Sequence, residues 1–145
     1  MTERGTYTLL VELPGEATVT VGALGTVPFR AGWYAYTGSA MGTVGFARVD
    51  RHRAVAAGRN DVRHWHLDYL LGETGARIDA VVTTAGRDVE CAVSRAIAGD
   101  PVPGFGASDC ECSSHLRYGD TRSALVGSIR DAHDSAQSAP ETDDD

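Results

Sequence analysis

The sequence predicts a small α+β domain, and three observations carry that prediction. Residues 6 to 38 are dense in β-branched and aromatic side chains punctuated by Pro14-Gly15 and single glycines. A helix-forming stretch follows from about Thr43 to Ala57. Ile78 to Thr83 then returns to strand character before a further helix, giving the order β, β, α, β, α. At 145 residues the chain is long enough to bury one real core and too short for two.

Thr6 to Leu13 ends at Pro14-Gly15 and reads as a first strand with a turn. Ala17 to Val21 alternates as an edge-like strand, and Gly25 to Phe29 continues the ribbon. Gly32 to Gly38 is the next strand, antiparallel to the first if the connection is hairpin-like, so that Tyr7 and Tyr36 meet at one edge of a small sheet. The 43 to 57 helix has only a fair apolar period, and Arg48 and His52 at i and i+4 share a face. After the polar loop at Gly58 to Asp61, Trp65 to Leu71 reads as a short helix ending at Gly72. Gly86-Arg87-Asp88 leads into a helix with Val89, Ala92, Val93, Ala96 and Ile97 on one face and Asp88 as N-cap. Residues 99 to 114, rich in Gly, Pro, Ser and Cys, read as an ordered loop or flap.

A last helix around Arg122 to Ala132 dissolves into an acidic tail, so the division is a domain over 1–130 and a disordered tail over 131–145. The tail carries 6 acidic residues and no Lys or Arg, a large part of the net charge of -7. Truncation after Arg130 is therefore expected to leave the fold unchanged. The body is near neutral, with 14 acidic groups against 13 arginines, and residues 48 to 63 carry +3, a patch suited to phosphate. Every basic residue is Arg and none is Lys, which with the Asp excess favours a halophilic, salt-rich cytosol over a merely GC-rich genome.

No run of about 18 apolar residues occurs, so no membrane helix is expected. The first residues lack a basic flank and an apolar signal core, and 3 cysteines do not make a disulfide framework, so a cytoplasmic protein is expected.

Four features carry the chemistry: Gly5-Thr6-Tyr7, Tyr36-Thr37-Gly38, Arg48-x-x-x-His52, and Glu90 opening a later helix. Together they resemble the GIY-YIG nuclease superfamily. His64 to Leu71 and Pro103 to Leu116 are similar to its Uri-type endonuclease branch of archaea and bacteria, and the likeness covers roughly residues 5 to 118. The resemblance implies a three-stranded, mostly antiparallel β-β-α-β-α core with packed helices, here with an extra N-terminal ribbon. It implies a divalent-metal-dependent endonuclease that cuts one strand of nucleic acid, DNA in the first instance, leaving 5′-phosphate and 3′-hydroxyl ends.

Phosphodiester hydrolysis needs an activated water, a cation on the phosphate oxygens and a metal. On the family pattern Glu90 holds one Mg²⁺ or Mn²⁺, ions that favour carboxylate and water oxygens. Arg48 clamps the phosphate. Tyr7 is general base or water positioner, a role that calls for a phenol lowered from its ordinary value by neighbouring cations or metal. Tyr36 orients water or phosphate, and His52 supports either tyrosine or relays its proton. Gly38 lets the nucleic-acid backbone come close, with Arg51, Arg53, His64 and His66 along the same surface. Tyr34 reads as an ordinary strand aromatic. Two departures stand out: Thr6 and Thr37 replace the usual apolar residue, and the late asparagine is missing, with Ser108 or Asp109 as the available substitutes.

A second constellation, Cys110-x-Cys112-x-x-His115 with His64 and His66 upstream, has zinc-ligand chemistry. Its Cys-x-Cys spacing is tighter than the usual zinc pattern, and the plainer reading makes Cys91 and Cys110 small buried hydrophobes. The rivals to a nuclease are thus a non-catalytic nucleic-acid-binding module on the same fold and a zinc-stabilised interaction protein.

Overall fold

The structure, a computed structural model, describes residues 4–42, 44–61, 63, 66–103, 105 and 114–138. The chain runs β1 (Gly5–Leu13), β2 (Ala17–Thr20), β3 (Thr26–Phe29), β4 (Gly32–Ala40), α1 (Ala47–Ala56), α2 (His66–Glu73), β5 (Arg77–Ala85), α3 (Glu90–Ala96), β6 (Asp100–Pro101), β7 (Leu116–Gly119) and α4 (Arg122–Ser138). This is the predicted α+β class. Five strands form an antiparallel sheet in the order β5-β1-β4-β7-β6, and β2 with β3 forms a separate ribbon.

Because successive side chains on a strand face opposite ways, the sheet sorts the sequence of β1 into two cores. Tyr7, Leu9, Val11 and Leu13 join Tyr34 and Tyr36 of β4 in one cluster, covered by Val49 and Val55 of α1 and by Leu67, Leu70 and Leu71 of α2. Leu10 and Ala35 face the other way and pack with Val93, Ile97, Leu125, Ile129, Ala132 and Ala136 around α3 and α4. The β1–β4 register sets Tyr7 opposite Gly38 and Leu9 opposite Tyr36. Tyr7 and Tyr36 are therefore diagonal neighbours on one face. A register shift between β1 and β5 at Leu10/Val11 marks a bulge beside Asp79, whose carboxylate accepts from Arg122 at 2.9 Å and anchors the start of α4.

Several expectations are corrected. α4 does not end near residue 132: it continues to Ser138, with Ala132, His133 and Ala136 buried, so residues 131–138 belong to the domain and not to a disordered tail. The remainder of that segment, 139–145, lies outside the described residues. Asp88 does not cap α3. Val89 holds the cap position, without a side-chain cap bond. On the same helix Ala92 and Ala96 are exposed while Ser94 is buried; the short strand β6 lies where only a loop was expected, and β7, for which no element was expected, joins it to the sheet.

Candidate functional site

The N-terminal end of β1, the middle of β4 and the first turns of α1 and α3 converge on a cluster of Tyr7, Tyr36, Arg48, His52 and Glu90. The hydroxyl of Tyr7 lies 2.8 Å from His52 Nε2. The Tyr7 and Tyr36 ring centroids are 6.4 Å apart, and the His52 ring is 5.7 Å from Tyr7 and 6.2 Å from Tyr36. Arg48 donates to the Ser39 carbonyl at 2.8 Å and stands within hydrogen-bonding reach of Tyr7. Glu90 Oε2 lies 3.2 Å from His115 Nδ1. His52 occupies the buried stripe of α1 with Val49 and Val55, which is why the apolar period of that helix was only fair.

The electrostatics correct one expectation about Tyr7. Burial pushes its phenol well above the ordinary value, with Tyr36 and Glu90 adding to the rise and Arg48 opposing it. Burial and the Glu90 charge raise Tyr36 as well. The cation near Tyr7 does not outweigh desolvation, so the phenol stays protonated at neutral pH. His52 moves the opposite way, pushed down to about 4 by burial against the pull of Asp68. A neutral imidazole and a protonated phenol therefore share one short hydrogen bond.

A family model described as a domain of unknown function, DUF123, matches residues 6–138. The chain belongs to the DUF123 family. No curated protein and no solved structure matches it. The DUF123 match spans both cores and all of α4, in keeping with a domain that runs on to Ser138.

The residue-by-residue outcome within this DUF123 domain is uneven. Gly38 is buried, and a Cβ there would lie 2.6 Å from the Tyr7 hydroxyl, so this glycine makes room for Tyr7 and not for a nucleic-acid backbone. Arg51 turns part of its guanidinium inward, its Nη2 3.7 Å from the buried carboxylate of Asp68, so its charge is shared with the interior and is not given wholly to the patch. Arg63 pairs with Glu73 at 2.9 Å, while Arg53 and Arg59 are exposed. His66 packs its ring on Phe105 at 5.5 Å, and burial lowers its pKa, so it adds no positive charge to a binding face. Tyr34 is a core aromatic, as expected, donating to the Arg30 carbonyl at 2.7 Å.

His64, Cys110, Cys112, Ser108 and Asp109 lie outside the described residues. Among the described residues no group of three or more His, Cys, Asp or Glu is placed to hold a metal. His115, expected as an alternative zinc ligand with residues outside the described set, has its Nδ1 turned to Glu90, and its segment is held there: Ser94 Oγ donates to the Ser114 carbonyl at 2.9 Å, and Thr37 N–H donates to the His115 carbonyl at 3.0 Å.

Asp68 is the residue that sequence reasoning missed. It is fully buried on α2, and its charge acts on both His52 and Tyr36. The available signal was a lone carboxylate among Leu67, Tyr69, Leu70 and Leu71, since an acid on an apolar helix face is rarely left unpaired.

Proposed function

We propose that this DUF123 protein is a divalent-metal-dependent endonuclease of the GIY-YIG type, resembling the Uri-type branch, that hydrolyses phosphodiester bonds in nucleic acid, DNA in the first instance, one strand per site. The observation that carries the reading is the convergence of Tyr7, Tyr36, Arg48, His52 and Glu90, residues spread from 7 to 90 in the chain, around the 2.8 Å Tyr7–His52 bond. Glu90, with a side chain 24% exposed, and the half-buried Arg48 form the open side where a phosphate arrives.

The chemistry divides among the residues. Arg48 binds the phosphate and stays charged as negative charge grows on its oxygens. An attacking water gives its proton to the Tyr7 oxygen while Tyr7 passes its own to His52 Nε2. The P–O bond to water forms, the P–O bond to the 3′-oxygen breaks, and that oxygen takes a proton from solvent. His52 is neutral at neutral pH; burial disfavours its imidazolium, and the negative Asp68 offsets part of that penalty when the proton arrives. Glu90 fits Mg²⁺ or Mn²⁺, because a partly open carboxylate leaves the remaining coordination positions to water, as these ions prefer. When bound, such an ion supplies charge stabilisation at the phosphate.

No helix among the described residues is long and apolar enough to cross a membrane. We place the enzyme in the cytoplasm with nucleic acid as partner, on the charge patch and the cysteine usage. The test is a panel of end-labelled duplex, single-stranded and branched DNAs incubated with Mn²⁺. Products with 5′-phosphate and 3′-hydroxyl ends support the reading. Binding without cleavage of any substrate favours the non-catalytic module.

A further inference from the structure

α3 starts without a side-chain cap of its own, yet the chain before it is tightly held. The hydroxyl of Thr6, a fully buried residue, donates to the Arg87 carbonyl at 2.9 Å and accepts from the Val89 N–H at 2.9 Å. One oxygen thus clasps the backbone on both sides of Asp88, immediately before Glu90. The neighbouring contacts are of the same kind: Gly86 N–H donates to the Arg4 carbonyl at 2.7 Å, and Arg87 Nη1 donates to the Ala136 carbonyl at 3.0 Å. Gly86 supplies the left-handed turn, φ +80°, that the clasp requires. Val89 then starts the helix, accepting from Val93 N–H at 2.9 Å.

We propose that Thr6 is a positioning residue for Glu90, fixing the carboxylate relative to Tyr7, its immediate neighbour on β1. An apolar side chain at position 6 would fill the same space and leave the Val89 N–H and Arg87 carbonyl without this oxygen. The replacement of the usual apolar residue in the first triplet is therefore not a neutral exchange: it moves the cap of α3 onto the strand that carries Tyr7. The proposal rests on the reading of Glu90 as the metal-holding carboxylate.

The test compares full-length wild type, Thr6→Val, Thr6→Ser and Thr8→Val. Thr8 is equally buried, but its hydroxyl meets Thr37 and His133 instead of the α3 loop. Two quantities are read: the His115 imidazole chemical shift in metal-free protein, which reports where the Glu90 carboxylate sits, and the dissociation constant for Mn²⁺. Thr6→Val is expected to move the His115 resonance and weaken Mn²⁺ binding at least tenfold. Thr6→Ser restores both, and Thr8→Val lowers stability with neither change.

Wild-type binding of Mn²⁺ with equal affinity in Thr6→Val overturns the positioning role alone. Absence of Mn²⁺ binding in the wild type overturns the nuclease reading and the proposal with it. If Thr6→Val does not fold, a Mg²⁺ titration of the wild type followed by NMR decides. The Thr6 methyl and Val89 amide resonances should shift in step with Glu90, and their standing still overturns the proposal.

Discussion

Two buried histidines lie against opposite faces of the same sheet, and burial pushes each down to about 4. His52 meets a phenol, with Asp68, Arg51 and Arg48 acting on it. His133 of α4 meets two threonines, Thr8 at Nε2 and Thr84 at Nδ1, each 2.8 Å away, and Thr8 continues to Thr37 at 2.9 Å. The same perturbation therefore accompanies two different tasks. The His133 network holds only threonine hydroxyls, much weaker acids than a phenol, and it ties α4 to β1, β4 and β5. The His52 cluster sets a phenol against an imidazole, next to a partly exposed carboxylate and a half-buried arginine, and in the proposed reading that pair passes a proton. A shifted pKa by itself does not separate structure from chemistry; the partners do.

That comparison is broken most severely by cutting the structural side away. Truncation after Arg130 deletes the turns carrying His133 and Ala136 and the carbonyl that accepts from Arg87, so it should cost at least about 3 kcal/mol in a denaturant titration. Unchanged stability would return residues 131–138 to the status of a tail. On the chemical side Arg48→Lys keeps the charge and loses the fork, and should lower the cleavage rate by roughly 3 kcal/mol of transition-state stabilisation. A wild-type rate would reduce Arg48 to a member of the basic patch.

Tyr7→Phe removes one oxygen and should slow cleavage about a hundredfold, the scale of a lost proton transfer, while Tyr34→Phe on the same face does little. Equal rates in the two variants would move the proton path to Tyr36 or to bulk water. The smallest effect on cleavage is expected from His133→Gln, and there the readout is stability against pH. The folded histidines titrate near 4 and unfolded ones near 6.5. Between those values the unfolded chain binds more protons, so stability is full above about 6.5 and falls as pH drops towards 4, by on the order of 3 kcal/mol for each histidine. Glutamine offers Thr8 and Thr84 a donor and an acceptor and does not titrate. His133→Gln should therefore flatten part of that acid limb and leave cleavage within about twofold, whereas an unaltered limb would mean that His133 is not a source of it.

The legible parts of the chain were those where pattern and chemistry agree. A run of β-forming residues closed by Pro14-Gly15 marked β1, and the tyrosine triplets placed Tyr7 and Tyr36 on strands that do pair. Where a polar residue serves the core, the pattern misled. His133 interrupts the apolar stripe of α4 at a position the fold buries, and the following acids made the helix look as if it ended. Asp68 drew no reading, because the partner that meets its buried carboxylate, Arg51, lies on another helix. Thr6 read as a strand former, because its hydrogen bonds go to residues more than 80 positions away. β7, four residues long, has its pairing decided by β4 and not by its own sequence.

The central claim is that the His52 face performs metal-dependent hydrolysis through Glu90. Glu90→Gln preserves the shape of the side chain and removes its charge, so the direct measurement is Mn²⁺-dependent cleavage of the end-labelled DNA panel by wild type and Glu90→Gln, with circular dichroism confirming that both are folded. The account predicts cleavage by the wild type and none by the variant. Cleavage by Glu90→Gln at the wild-type rate would contradict it.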